Sequence, residues 1–346
     1  MKKFTILLTS FTFLMLSSIT SAQIKDMDVP YTEFSYNNNS CSGYQSATGS
    51  LIFIPADAFL TEDGNICKGK ITVKYRELHT RGDMLVSGIN MILFKEGKRK
   101  MLESAGMFEL YGECNGNTVR LNPGKTIQVR MKCLRELKNL KVYKYDQQNK
   151  FWTDTDIPII DFSFRKNDNN QENLKLWGSN SVGNSTRATN LESDVNLDWD
   201  SIRIASLNNI FGSLPEGYFK GINIKETGLY NYDAVIKDEN AVSILANFIL
   251  STGEKIDEKI YVSYNKKNML ICYYPTDMKE NFVLLPEKET KIFCLFKDGS
   301  TAMIKEGELE KINLEHLRGK EFTFIMEKQP AKPKDKLSLC DALKIK

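Results

Sequence analysis

From Ser50 to Trp152, and again from Val242 to Glu327, the chain is cut into short runs that alternate apolar and polar side chains and stop at Gly, Asn, Pro or Asp. This pattern constrains the fold more than any other feature. A period of two puts one face of each run in a core and the other in water, the signature of half-buried strands. Lys70 to Glu77 sets Ile71, Val73 and Tyr75 against Lys70, Thr72, Lys74 and Arg76. Ser50 to Ile54 stops at Pro55, and Met107 to Tyr111 leads through Asn115-Gly116-Asn117 into Thr118 to Leu121. Asn122-Pro123-Gly124-Lys125 is a turn by composition, followed by Ile127, Val129 and Met131, then by Leu140 to Tyr145 and Phe151-Trp152. In the second half Val242 to Leu250, Lys259 to Tyr264, Met269 to Tyr274, Phe282 to Leu285, Lys291 to Phe296 and Glu321 to Glu327 read the same way, with Asp298-Gly299 as a hairpin signal. Strands at this spacing predict a mainly β protein with two antiparallel sandwich-like domains. One short helix near the C-terminus is expected from Gly307 to about Leu317, with Leu309, Ile312 and His316 on one face and Gly319 as the stop.

The run Arg165 to Asn196 is rich in Asn, Asp, Ser, Thr and Gln. It has too little apolar surface to offset its ordering entropy, so a polar linker or loop is expected at 165–196. That places a β-sandwich domain at 23–164, a second β domain at 197–328, and a disordered tail at 329–346, where Pro330 and Pro333 stand among lysines. At the other end, Lys2 and Lys3 precede an apolar stretch from Ile6 to Leu16, and Thr20-Ser21-Ala22 supplies small residues. These are the three parts of a cleavable export signal, residues 1–22, with Gln23 as the new N-terminus. The expected location is extracytoplasmic: periplasm, outer surface or secreted. No transmembrane segment is expected after cleavage, since no later stretch is long and apolar enough.

The 346 residues leave room for two or three domains at roughly 150 each. The formal charge of +3 falls to +1 once Lys2 and Lys3 are removed, which does not point to nucleic acid. Seven cysteines are an odd number, so at least one thiol is left over in an exported chain. Cys114 and Cys133 lie close together on successive strands and could pair, while Cys272 and Cys294 sit in apolar strands as small buried hydrophobes. No Cys-x-x-Cys is present, which argues against a zinc knuckle or a redox pair.

Catalysis is hard to build from these residues. His79 and His316 are the two histidines, and neither lies in a nucleophile motif. No phosphate-binding Gly-rich loop, no Gly-x-Ser-x-Gly and no His-Glu-x-x-His occurs. Asp154-Thr155-Asp156 lacks the spaced oxygen ligands of a calcium loop. No catalytic residue, metal or cofactor is therefore expected. A histidine-free carboxylate pair remains as a rival, with Asp154, Asp156 and Asp161 around Trp152, and Asp198 and Asp200 around Trp199. Arg81-Gly82-Asp83 is the integrin-recognition tripeptide at a turn beside His79, and Tyr230, Tyr232, Tyr273 and Tyr274 are aromatic residues on strands. Arg81, Gly82, Asp83, Tyr230 and Tyr232 are the candidate contact residues.

The first half carries Gly49 to Phe59 (GSLIFIPADAF), Gly69 to Glu77 (GKITVKYRE), Leu85 to Ile89, Glu103 to Leu110 (ESAGMFEL) and Leu121 to Val129 (LNPGKTIQV). This cluster resembles a group of uncharacterised secreted proteins common in Bacteroidota. More remotely it is similar to the β-sandwich domain of ankyrins, netrin receptors and tight-junction scaffold proteins. The region from Trp199 to Asp233, with Gly228 to Asp233 (GLYNYD), resembles the second half of the secreted group. The resemblance implies a sandwich used for protein contact and brings no catalytic residues. In some relatives of the animal domain a Phe-Ser bond cleaves itself with help from a histidine. Here Asp161 precedes Phe162-Ser163 with no His nearby, so no cleavage is expected. The expected function is a non-catalytic binding or structural role at the cell envelope, with another envelope or surface protein as partner. The alternative is a secreted hydrolase acting on carbohydrate through paired carboxylates.

Overall fold

The Asn115-Gly116 pair adopts positive φ at both positions (53° and 80°), the turn that matches strand twist, and it folds β7 (Lys98–Cys114) back onto β8 (Asn117–Leu121). A computed structural model describes residues 27–164 and 217–345 except 238, 279–281 and 331. The protein is mainly β, with two sandwich-like units. In the first unit, one sheet runs in spatial order β1 (Thr32–Asn37), β5 (Lys70–Leu78), β7, β14 (Gly228–Val235), β10 (Lys141–Asp146), β11 (Phe151–Asp154) and β6 (Ile92–Lys95). The β8 strand hangs from β7 and carries β4 (Phe59–Leu60). The facing sheet is β12 (Ile160–Phe164), β13 (Gly217–Ile224), β9 (Ile127–Lys132), β3 (Leu51–Ile54) and β2 (Ser42–Gln45). Ile71, Val73, Tyr75, Phe108, Leu110, Val129, Ile222 and Tyr232 fill the space between the two sheets.

The second unit is a six-stranded sheet ordered β16 (Leu245–Leu250), β22 (Glu321–Lys328), β21 (Thr301–Met303), β20 (Thr290–Leu295), β17 (Ile260–Tyr264) and β18 (Met269–Tyr273). A small pair, β15 (Val242–Ser243) with β19 (Val283–Leu284), lies beside it. The β20–β21 hairpin turns at Gly299 (φ 80°), as Asp298-Gly299 predicts. The β16–β22 pair is parallel, an exception to the antiparallel rule. The other four strands of that sheet intervene between those two, so the long crossover that parallel pairing needs is present.

The domain boundary differs from the expected one. Strands β13 and β14 fall within 197–328 yet belong to the first sandwich, where β13 pairs with β9 and β12, and β14 with β7 and β10. Phe164 stands opposite Gly217, so the chain leaves and re-enters one hairpin. The boundary lies between Val235 and Val242. Local alternation identifies a strand but not its sheet, and a polar run inside a hairpin resembles one between domains. The expected signal at 1–22 and linker at 165–196 lie outside the described residues.

The expected helix at 307–317 is instead two 3-10 turns, Leu309–Lys311 and Leu314–Leu317, separated by extended Ile312 and Asn313 (ψ 123° and 96°). The short C-terminal helix lies further on, in the tail expected to be disordered. Its fourth residue, Leu339, is fully buried in α2 (Lys336–Leu343), as is Leu343, and Ile345 follows them into the core. Asp335 caps the helix by accepting from Ser338 N (2.7 Å). The apolar spacing Leu339, Leu343 outweighs the lysines around it.

Cys114 bonds Cys67 rather than Cys133, with Cα atoms 6.5 Å apart. The side chain of Cys114 faces the sandwich core, where Cys67 also lies. Cys272 and Cys294 are buried, as the apolar strands around them predict. Among the described residues no helix is long and apolar enough to cross a membrane.

Candidate functional site

The first helix, α1 (Arg81–Val86), contains the whole Arg-Gly-Asp tripeptide, and all three residues are buried. Thr80 caps it: its hydroxyl accepts from Asp83 N (3.1 Å), and the Asp83 carboxylate accepts from Thr80 N (2.8 Å) and His79 N (3.0 Å). Burial raises the Asp83 carboxyl, but Lys336 (2.7 Å) and the Thr80 bonds hold it below the ordinary range. Arg81 donates to the carbonyls of Asn265 (3.3 Å) and Lys267 (3.1 Å) in the second domain. A Cβ on Gly82 would stand 2.5 Å from Cys340 Sγ, so glycine lets α2 lie against α1. The tripeptide is a joint between domains, not an exposed adhesion loop.

Tyr230 and Tyr232 are also internal, at 2% and 0% exposure, packed on Phe108 with ring centroids 5.5 and 6.3 Å away. The Tyr230 hydroxyl donates to the Glu226 carbonyl (2.9 Å). Tyr273 is buried and donates to Val283 O (2.7 Å), whereas Tyr274 stays exposed with Lys259 Nζ 5.0 Å from its ring centre. The reason is that β14 is covered on both faces. Its tyrosines point at the facing sheet, and Leu229, Asn231 and Asp233 point at the second domain, whose core is continuous with Leu78, Met107, Tyr145 and Trp152. Both faces of a doubly covered strand are buried.

The interdomain seam is held by side chains that sequence alone did not single out. Asn90 bonds Cys272 twice, Nδ2 to O (2.8 Å) and Oδ1 from N (2.9 Å). Asn268 donates to the carbonyls of His79 (2.8 Å) and Ser104 (3.1 Å). Ser104 donates to Asn231 Oδ1 (2.7 Å), and Asn231 donates to Asp233 (2.5 Å). Burial holds the Asp233 carboxyl well above the ordinary carboxylate range.

The groups with catalytic potential are tied into the fold. His79 Nε2 meets Glu77 (2.6 Å), both side chains largely buried, and Glu77 also accepts from the exposed Thr48 (2.5 Å) and from Tyr75 (2.8 Å). Burial alone would raise Glu77, but the bonds from His79 and Thr48 draw it down to about 2. Glu109 accepts from Arg76 (2.6 Å), Tyr31 (2.6 Å) and Tyr111 (2.8 Å). Asp154 is held by Lys95 (2.8 Å) and Lys141 (3.6 Å). Trp152 is fully buried with its indole donating to Asn90 O (2.9 Å), so it offers no sugar-stacking surface. A glycosidase acid needs a raised pKa beside a cleft. The raised carboxyl here, Asp233, is sealed in the seam. His316 lies on an exposed 3-10 turn, and the side chain of Asp161, with Asp198, Trp199 and Asp200, lies outside the described residues. Among the described residues no group of three His, Cys, Asp or Glu could hold a metal ion.

An open cleft of about 720 Å³ lies where the chain crosses from one sheet of the sandwich to the other. One wall is Leu137 to Val142, the other is Thr155 to Ile159, and Lys220 of β13 completes it. Thr155 fixes the crossing, its N and Oγ1 both donating to Val142 O (3.2 and 2.8 Å). Leu137, Leu140, Ile157 and Ile159 pack partly against the sandwich core, and Lys138, Lys141 and Lys220 ring them. Aliphatic walls under a cationic rim can hold an acidic, partly apolar ligand; they offer no nucleophile. No protein-family model, no curated protein and no solved structure matches this chain.

Proposed function

We propose that the protein is an exported envelope or surface component that acts by contact with another protein, without catalysis. The observation that carries this reading is the cationic cleft at the open side of the first sandwich. It combines half-buried leucine and isoleucine with lysines, the composition of a recognition groove. Export rests on the N-terminal residues, and the disulfide between Cys67 and Cys114 suits an oxidising compartment. The sandwich that the sequence resembles is one used for protein contact, which agrees. The two units share a seam of side-chain bonds and one continuous core, so the cleft sits on a rigid support.

The test is photo-crosslinking in intact cells that make the protein, with a photoreactive residue at Lys138 and, separately, at the exposed Lys311. A discrete adduct from position 138, absent from position 311 and lost when Lys141→Glu is added, is expected. No adduct at 138, or turnover of a glycan by the purified protein, would overturn the reading. Recovery of the protein from the cytoplasmic fraction would overturn the export half.

A further inference from the structure

The crossing segment that forms one wall of the cleft is extended but unpaired. From Asp156 to Ile159 the residues alternate outward and inward, with Asp156 and Pro158 exposed and Ile157 and Ile159 half-buried. That is strand geometry, yet no ladder among the described residues includes these four. The segment runs directly into β12, which ends its sheet among the described residues. The opposite wall has the same alternation in looser form, Leu137 and Leu140 half-buried, Lys138 and Asn139 exposed.

Lysines outnumber carboxylates among the residues that line this track. Lys138, Lys141 and Lys220 line it together with Asp156, and Lys141 also meets Asp154 (3.6 Å). Lys138 has no carboxylate partner among the described residues, and Lys141 is the more distant of the two lysines on Asp154. Lys220 lies on β13 in the same row as Ile222 and Ile224 and lines the cleft.

We infer that this cleft takes an extended segment of a partner protein in which acidic side chains alternate with aliphatic ones. The inference rests on the contact reading above and names the partner's chemistry. Main-chain groups of the partner would pair with those the crossing segment leaves open, which exclude Pro158, having no N–H, and the Ile157 N–H, which donates to Thr155 Oγ1 (3.4 Å). Its aliphatic side chains would meet Ile157, Ile159, Leu137 and Leu140, and its carboxylates would meet Lys138 and the exposed Lys141. A peptide fits better than a compact anion because the cleft is an open track bounded by two lengths of main chain.

The test is fluorescence anisotropy on the purified full chain with a short labelled peptide of alternating glutamate and valine. Saturable binding on the order of micromolar affinity is expected. Lys138→Glu and Lys141→Glu should each weaken it about tenfold, because a reversed charge at the rim repels the same carboxylates. A lysine–valine peptide should not bind, and main-chain N-methylation of the glutamate–valine peptide should weaken it. Both variants lie on exposed chain, and an unchanged melting transition confirms that they fold. Equal affinity of wild type and both variants, or no binding at all, overturns the inference. So does tight binding of dodecyl phosphate with the same lysine dependence and no peptide binding, which would make the ligand a lipid anion. If the position-138 adduct forms in cells while the peptide fails, the contact reading stands and only this inference falls.

Discussion

Replacing Asn90 tests the claim that the two domains form one body. Its side-chain amide stands where a neighbouring strand would, giving Cys272 of β18 both a donor (2.8 Å) and an acceptor (2.9 Å). Met91 continues the contact with its N–H on Leu270 O (3.2 Å). Asn90→Ala removes both side-chain bonds and leaves the N–H and C=O of Cys272, a residue 7% exposed, without partners. A stranded buried main-chain group costs about 1–3 kcal/mol, and Asn90 is only half-buried, so the low end applies to each. The expected loss is roughly 2–4 kcal/mol, or a fall in Tm of roughly 4–8 °C for a body of this size. Asn90→Asp keeps the shape but turns a carboxylate oxygen towards the Cys272 carbonyl. It should lose at least as much as alanine near neutral pH. Near about pH 4 it should recover part of the loss, as the protonated acid can donate again. Urea and thermal unfolding followed by circular dichroism at both pH values would measure this. A loss under about 0.5 kcal/mol for Asn90→Ala, the size of an ordinary surface change, would refute the reasoning. So would an Asp variant as stable as wild type at neutral pH, or two well-separated transitions in the wild type.

The disulfide closes a separation of 47 residues, so Cys67→Ser with Cys114→Ser should cost up to about 4 kcal/mol by loop entropy. Peptide mapping without reductant should find Cys67 linked to Cys114, and a Cys114–Cys133 link would contradict the assignment. Glu77 is held down to about 2 from an ordinary 4.5, so its contribution is complete above about 4.5 and is lost as pH falls through about 2. That shift corresponds to about 3 kcal/mol; acid titration of stability should show the loss in wild type, and Glu77→Gln should be flatter over the same range.

Much of the fold was legible because alternation is a local property. Ile71, Val73 and Tyr75 lie on one face of β5 as their spacing predicts, and Asn115-Gly116 and Asp298-Gly299 turn where turn chemistry requires. What could not be read was which strand joins which sheet. Tyr218 to Ile224 looks the same whether it pairs with β9 or with a strand of the next domain. Only closing the sandwich decides it, because β9 needs a partner on the side that β3 does not cover. The tail misled for a related reason. Lysines and prolines around 330–336 resemble solvated chain, and Leu339 and Leu343 matter only once α1 and the seam exist to receive them.

The candidate contact residues are buried, Tyr230 and Tyr232 between the sheets of the first sandwich and Arg81 and Asp83 at the seam. Arg81, Asp83, Tyr230 and Tyr232 are polar or amphipathic side chains on short elements, and such residues face either a partner molecule or another layer of the same chain. Composition is the same in both cases, since an interface within a chain resembles one between chains. For Arg81 and Asp83 the second domain takes that surface, supplying the carbonyls for Arg81 and, through Lys336, the counter-charge for Asp83; for Tyr230 and Tyr232 the facing sheet of the same sandwich takes it. A signal was present in β14, where Asn231 and Asp233 alternate with tyrosines as solvated positions would. They are buried at 0% exposure, bonded to each other, with Asn231 also bonded to Ser104. The cleft was hidden by distance in sequence. Leu137 to Leu140 and Ile157-Pro158-Ile159 are separately unremarkable, and Lys220 lies far beyond both, so neither spacing nor local charge could join them. They meet because β11 and β12 belong to different sheets and the chain between them must cross the open side of the sandwich. A crossing segment there cannot enter either ladder. Its half-buried isoleucines, and the main-chain groups outside Thr155, Ile157 and Pro158, therefore remain for a strand that this chain does not supply among its described residues.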